Sequence, residues 1–308
     1  MKRFLLLPFL GLALGFNVYA ADTTDSEIHK LDEQCKSGFS FACLKLGSMY
    51  YSGKGIDLNY KKSADLYNKA CAGGDLTGCA LLGLIHHEGL TGKQDFKTSV
   101  GLYKKSCEGG IAFGCHSLAK SYQEGSGVDK DLKEAHKYFT KSCRSGLPAS
   151  CLEVGIDYDE GLGIDEDKVM AMRFYDKACT LGDGTGCLKN GLFFMQGNAI
   201  KQNYPKAYEY FTKACDGENY QGCLFLGVFN QYGMGVEVQL EKAISYYWKA
   251  CSANISLGCQ FLGEIHQQEP NYDLKKAKSF YQRACNLADS VSCERVGKIE
   301  KEEENNND

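Results

Sequence analysis

The sequence predicts an all-α fold, a right-handed αα-superhelix built from helix-turn-helix repeats of 36 residues. Three observations predict it. Sixteen cysteines fall in pairs at a fixed period. Two stripes of helical spacing recur in register with them. A glycine turn separates the stripes in most copies.

The first members of the pairs are Cys35, Cys71, Cys107, Cys143, Cys179, Cys215 and Cys251, each 36 residues after the last, and then Cys285 after 34. The second members, Cys43, Cys79, Cys115, Cys151, Cys187, Cys223, Cys259 and Cys293, follow eight positions later. A fixed period in this range marks a solenoid of small helical units.

The first stripe follows the second cysteine. Leu46, Leu82, Leu118 and Leu226 stand three residues on, Gly47, Gly83, Gly155, Gly191, Gly227 and Gly263 four on, and Tyr50, Tyr122, Tyr158 and Phe194 seven on. Offsets of 0, 3, 4 and 7 share one helical face. This is helix A, and its glycine admits a neighbouring helix at close range. The turn comes next, as in "YSGKGID" from 51 and "QEGSGVD" from 123; the seventh copy is shorter and reads "QQEPNYD" from 267. The second stripe, helix B, precedes the next pair. It carries an aromatic residue four before the first cysteine (Tyr67, Tyr103, Phe139, Tyr175, Phe211, Tyr247, Tyr281), with small residues one and eight before it. A basic residue two before it, Lys69 to Arg283, favours the negative end of the helix dipole.

Two pairings of the cysteines fit the hairpins. One joins each cysteine to its neighbour eight positions on, Cys35 to Cys43 through Cys285 to Cys293. The other crosses a hairpin, Cys43 to Cys71, and strands Cys35 and Cys293. The local scheme uses all sixteen and is the expectation. Zinc and redox readings need closer spacings, such as Cys-x2-Cys, which are absent, so no metal and no cofactor is expected.

The ends are different in kind. Lys2 and Arg3, an uncharged run from Phe4 to Phe16, and Val18 and Ala20 read as an export signal, residues 1–20, cut after Ala20. The expected location is secreted or periplasmic, with no membrane span. Residues 21–34 read as a capping helix, 35–298 as the repeat array, and 299–308 as a disordered acidic tail. Removing the signal leaves 33 basic side chains against 39 acidic, a net charge of −6. That balance argues against electrostatic nucleic-acid binding, which needs a basic face.

The run L-G-x-x-Y, G-x-G-[VI], A-x-x-[YF]-[YF]-x-K-A resembles the Sel-one-like repeat, a relative of the tetratricopeptide repeat. With a Cys-x7-Cys in every copy, the chain resembles the Helicobacter cysteine-rich protein family over Cys35 to Val296. That resemblance implies penicillin binding and beta-lactam hydrolysis, which in serine enzymes uses Ser-x-x-Lys. The chain has one such tetrad, "SLAK", with Ser117 and Lys120 as candidate catalytic residues. Both occupy slots that vary freely between copies, and the partner motif Ser-Asp-Asn is absent. His29, His116 and His136 show no triad in sequence, and "DYDEGLGIDEDK" from 157 misses the calcium-loop pattern at Gly161 and Lys168.

The varying slots of helix A lie two, five, six and nine after the second cysteine. In the related repeats, helix A lines the concave wall. Glu88, Glu124 and Glu160 form an acidic ladder at the last slot, while Leu192, Phe193, Phe225, Phe229 and Phe261 turn the later copies apolar. An apolar patch on a varied face reads as a partner site. The expected function is therefore binding of a protein or peptide by a monomer, with beta-lactam turnover as the alternative. Packing between repeats is the competing reading for Phe193 and Phe229.

Overall fold

The computed structural model describes residues 25–305, apart from 198, 199 and 269. The expected signal, 1–20, lies outside the described residues. Among those described there are sixteen helices and no strand. In chain order they are α1 (Asp25–Lys36), α2 (Ser40–Ser52), α3 (Tyr60–Ala72), α4 (Leu76–Glu88), α5 (Phe96–Glu108), α6 (Ala112–Glu124), α7 (Leu132–Arg144) and α8 (Pro148–Glu160). The chain continues with α9 (Lys168–Thr180), α10 (Gly184–Gln196), α11 (Tyr204–Asp216), α12 (Tyr220–Tyr232), α13 (Leu240–Ser252), α14 (Ser256–His266), α15 (Leu274–Asn286) and α16 (Ser290–Asn305). From α2 onward, even-numbered helices are helix A and odd-numbered ones helix B. Two compact units divide the chain between Asp167 and Lys168, in the turn of the fourth repeat. Within each, consecutive helices pack on one another.

Helix A stops where the sequence allows a left-handed residue. Gly53, Gly89, Gly125, Gly161, Gly197 and Gly233 close six helices of 13 residues at φ between 65° and 79°. Helix α14 has only 11 residues and ends on Gln267 in the right-handed region, because the seventh turn lacks its glycine. Helix B starts on a side-chain cap. Asn59, Asp95, Asp131, Asn203 and Asp273 each accept a hydrogen bond from a backbone N–H of the first turn.

Packing explains the glycine on helix A. A Cβ at Gly83 would lie 2.8 Å from the Tyr103 ring, and one at Gly227 only 2.4 Å from that of Tyr247. The ring of the following helix B thus seats directly on helix A, and Tyr67, Tyr103, Phe139, Tyr175, Phe211, Tyr247 and Tyr281 are all buried. On the other side of helix A a second close approach occurs: a Cβ at Gly78 would meet that of Ala70 at 2.7 Å. This explains the small residue before each first cysteine.

Eight disulfides, Cys35–Cys43 through Cys285–Cys293, join helix B to the next helix A, each across eight positions with Cα atoms 4.4–4.8 Å apart. The basic slot reaches further than its own helix end. Lys141 Nζ donates to the carbonyl of Cys107 at 2.8 Å, and Arg283 to that of Ser252 at 3.3 Å. Each cation therefore satisfies the last turn of the preceding helix B.

Of the expected acidic tail, 299–308, residues 299–305 continue α16, and 306–308 lie outside the described residues. Ile299, only 2% exposed, packs with Val296 against Ala277 and Tyr281, and Lys278 pairs with Glu300 and Glu303. A buried anchor and a matched cation stabilise an acidic run that composition alone reads as unfolded. The amino-terminal cap starts at Asp25 and includes Cys35.

Candidate functional site

The varying slots of helix A carry different chemistry in the two compact units. In the first, spanning 25–167, they are polar around the third and fourth repeats. Lys120 on α6 pairs with Glu153 of α8 at 2.7 Å, donates to Gln123 at 3.0 Å and lies 5.6 Å from the Phe139 ring centre. The Lys120 ammonium is thus engaged by a carboxylate and an amide oxygen rather than directed at a nucleophile. This geometry lends no support to beta-lactam chemistry at the tetrad.

Two histidine networks adjoin that pair. His136 Nδ1 on α7 donates to Asp157 Oδ2 of α8 at 2.9 Å, with Thr140 Oγ1 3.5 Å from Nε2 and the Tyr158 ring edge-on. Burial pushes the Asp157 carboxyl above its usual range, an effect the His136 bond only partly offsets. His116 Nδ1 on α6 lies 2.8 Å from Ser150 Oγ, which donates to Ser142 Oγ at 2.7 Å, which donates to the Ala112 carbonyl. With the Ser150 proton so committed, His116 Nδ1 is the donor. Burial, aided by the charge of Lys120, pushes His116 down to about 4. Sequence reasoning missed both networks. The available signal was positional: the slot of Asp157 holds Met49, Phe193, Phe229 or Ile265 elsewhere, and that of His136 holds Ala64, Val100 or Ile244.

Glu88, Glu124 and Glu160 are each the exposed last residue of a helix A. A carboxylate there opposes the helix dipole, a cost kept small by exposure.

In the second unit, 168–305, the same slots are aromatic. Phe193 leans on Tyr175 with centroids 6.2 Å apart, Phe225 stacks on Phe211 at 4.7 Å, and Phe261 tilts over Tyr247 at 4.9 Å. Phe193, Phe225, Phe261 and Leu192 remain half-buried. Phe229 does not belong with them. It is fully buried, edge-on to Phe211 and Tyr204, so it is core rather than contact surface. The slot six after the cysteine points into the packed side of helix A here, as buried Ile265 also shows, while Phe193 at the same slot stays half-buried. Sequence reasoning missed Tyr232, which continues the ladder of Glu88, Glu124 and Glu160 and is 62% exposed. Among the described residues no group of histidines, cysteines and carboxylates is arranged to hold a metal, and no helix is long and apolar enough to cross a membrane.

Helix pairs recurring every 36 residues, locked by an aromatic ring on a glycine, define an α-helical repeat scaffold. The signature described as Sel1 repeat matches residues 40–75, 77–111, 112–147, 148–183, 186–219, 221–255 and 256–289, and the chain belongs to the Sel1 repeat family. Its fold is similar to that of a protective antigen of uropathogenic Escherichia coli displaying an SLR fold. That likeness has a TM-score of 0.72 and 23% identity, over 88% of this chain and 67% of the antigen. A Sel1 repeat protein of Oxalobacter formigenes is similar with a TM-score of 0.69 and 25% identity, over 79% of this chain and 99% of that one. Helicobacter pylori cysteine-rich protein B is 32% identical over 43% of this chain and 96% of its own, with a TM-score of 0.37. No curated protein matches the chain.

Proposed function

We propose that this chain is an exported interaction scaffold whose helix-A face in repeats five to seven binds an extended peptide segment of a protein partner. Repeat proteins of this kind typically bind proteins, and eight disulfides suit an oxidising extracellular or periplasmic setting. The observation that carries the reading is the repeated platform of Phe225 and Phe261. Both occupy the slot two after the cysteine, both lie on a core ring, and both keep part of their surface open. Rigid, half-exposed aromatics are efficient anchors, because little side-chain freedom is lost on binding. Leu192, Phe193 and Tyr232 widen the platform, and the glutamate ladder gives the first unit an acidic edge.

A displayed library of random peptides, selected on the oxidised chain from Ala21 onward, tests this. Selected peptides should lose at least about tenfold in affinity for the Phe225→Ala, Phe261→Ala double variant, with the helical circular dichroism spectrum retained. Peptides that bind the double variant equally well, or a library that yields none, would defeat the proposal.

A further inference from the structure

Repeat five contains a small aromatic assembly on the helix-B side. The Tyr210 ring stacks on Phe194 with centroids 5.5 Å apart and planes 12° from parallel. Lys206 Nζ sits 4.7 Å from the centre of the Phe194 ring, and the Tyr210 hydroxyl donates to Asp176 Oδ1 of the preceding helix B at 2.6 Å. Tyr210 thus fills the groove between α9 and α11, clamped between a ring and a carboxylate.

Repeat one contains every part of this assembly except the tyrosine. Tyr50 stands where Phe194 stands, seven after the second cysteine. Lys62 corresponds to Lys206 and lies 5.0 Å from the centre of the Tyr50 ring. Asp32, three before Cys35, corresponds to Asp176, three before Cys179. At the slot of Tyr210, however, stands Leu66. The groove between α1 and α3 is correspondingly open. A cavity of about 410 Å³ lies there, lined by Ile28, Asp32, Leu46, Tyr50, Lys62 and Leu66 together with His29, Asp65 and Lys69. That volume lies in the range of ligand sites, about 300–1,000 Å³. Repeat two also has a leucine at this slot, Leu102, but Asn68 stands in place of the carboxylate. The combination of shelf, cation, carboxylate and missing ring belongs to the first repeat.

We infer that this cavity receives a tyrosine side chain of a partner protein, with its ring on Tyr50 and its hydroxyl donating to Asp32. The chain's own repeat five supplies the template for the occupant. Leu66, 7% exposed, forms an apolar floor too short to reach Asp32. The Asp32 carboxylate, tied on one side to Lys36 at 2.5 Å, is 40% exposed and keeps lone pairs for an incoming donor. This site lies on helix-B surface of the first compact unit and is independent of the aromatic platform proposed above.

The test is a chemical-shift titration of the oxidised chain with N-acetyl-tyrosinamide and, in parallel, N-acetyl-phenylalaninamide. Tyrosinamide should saturate with a dissociation constant on the order of 1 mM, with shifts centred on residues 28–32 and 62–66. Phenylalaninamide, which lacks the hydroxyl, should bind about tenfold more weakly. Asp32→Ala, a change at an exposed site, should erase that preference. Leu66→Tyr should abolish binding by filling the groove from within. Equal binding of the two probes, a preference that survives Asp32→Ala, or the absence of saturable shifts at these residues would each overturn the inference.

Discussion

The two compact units place opposite chemistry on one frame. At the same pair of slots, the first sets His136 against Asp157 and the second sets Tyr208 beside Phe229, 6.3 Å apart. Apart from the end helices, the shortened α14 and Ala119 at one seat, helix lengths, glycine seats and disulfides do not change between them. The frame is therefore held by the ring on glycine and the staple, and the intervening slots are free to differ. That freedom has different costs. Aromatic fill stabilises by removing apolar surface from water. Polar fill must satisfy every buried donor and acceptor, as the His116–Ser150–Ser142 chain does, and it makes one unit sensitive to protons.

The sharpest way to break the comparison is to empty the matched slots. Phe229→Ala should cost about 3–5 kcal/mol, the value for truncating a buried aromatic. Asp157→Ala should cost about 1–3 kcal/mol, since it leaves the buried Nδ1–H of His136 without its acceptor. Denaturant unfolding curves would show this, and equal losses would mean that the slots do not differ in fill. Acid should act next, and more strongly on the first unit. His116, pushed from 6.5 to about 4, favours the folded chain above pH 6.5 and loses that contribution as pH falls toward 4, approaching about 3 kcal/mol. Asp157, held above 3.8, acts in the opposite sense: its contribution is present at acid pH and lost as pH rises through its raised value. Amide exchange should therefore show protection falling between pH 6.5 and 4 across residues 25–167 more than across 168–305, with His116→Gln flattening the difference. A uniform loss would place the sensitivity elsewhere.

The smallest effect concerns the loops between paired cysteines. Gly38, Gly74, Gly110 and Gly146 hold φ near 90° in the first unit. In the second, Gly182 is followed by Glu218, Asn254 and Ala288 at φ 61°, 63° and 67°. A non-glycine residue there is strained, and Ala288 has no side-chain polar group to compensate. Ala288→Gly should stabilise by about 1 kcal/mol and Gly146→Ala should destabilise by a similar amount, both read from Tm. A null result at 288 would show that the staple, rather than the residue, sets the backbone.

Internal repetition made the frame legible. Comparing one copy with another exposed the glycine seat and the buried ring without any second sequence, and the structure places both where the offsets predict. Surface slots were less legible, because an offset gives a direction around one helix but not what stands opposite. Phe229 had packing as a competing reading in sequence and Phe225 did not, but an offset alone does not show that one points into the packed side and the other lies across its edge. The acidic tail is hard to read for a related reason: composition records charge but not the Lys278 that meets it. The asparagine and aspartate caps of helix B were visible at a constant position and went unread.

Each disulfide closes only nine residues of chain. Loops of this size meet their own ends within about 10–100 ns, far faster than synthesis adds a residue. In an oxidising compartment each thiol therefore encounters its correct partner before the next pair has emerged. Sixteen cysteines, which in a compact domain would demand extensive reshuffling, can here be paired in order of appearance. The array can grow by a further repeat without adding to the difficulty of oxidising the ones before it.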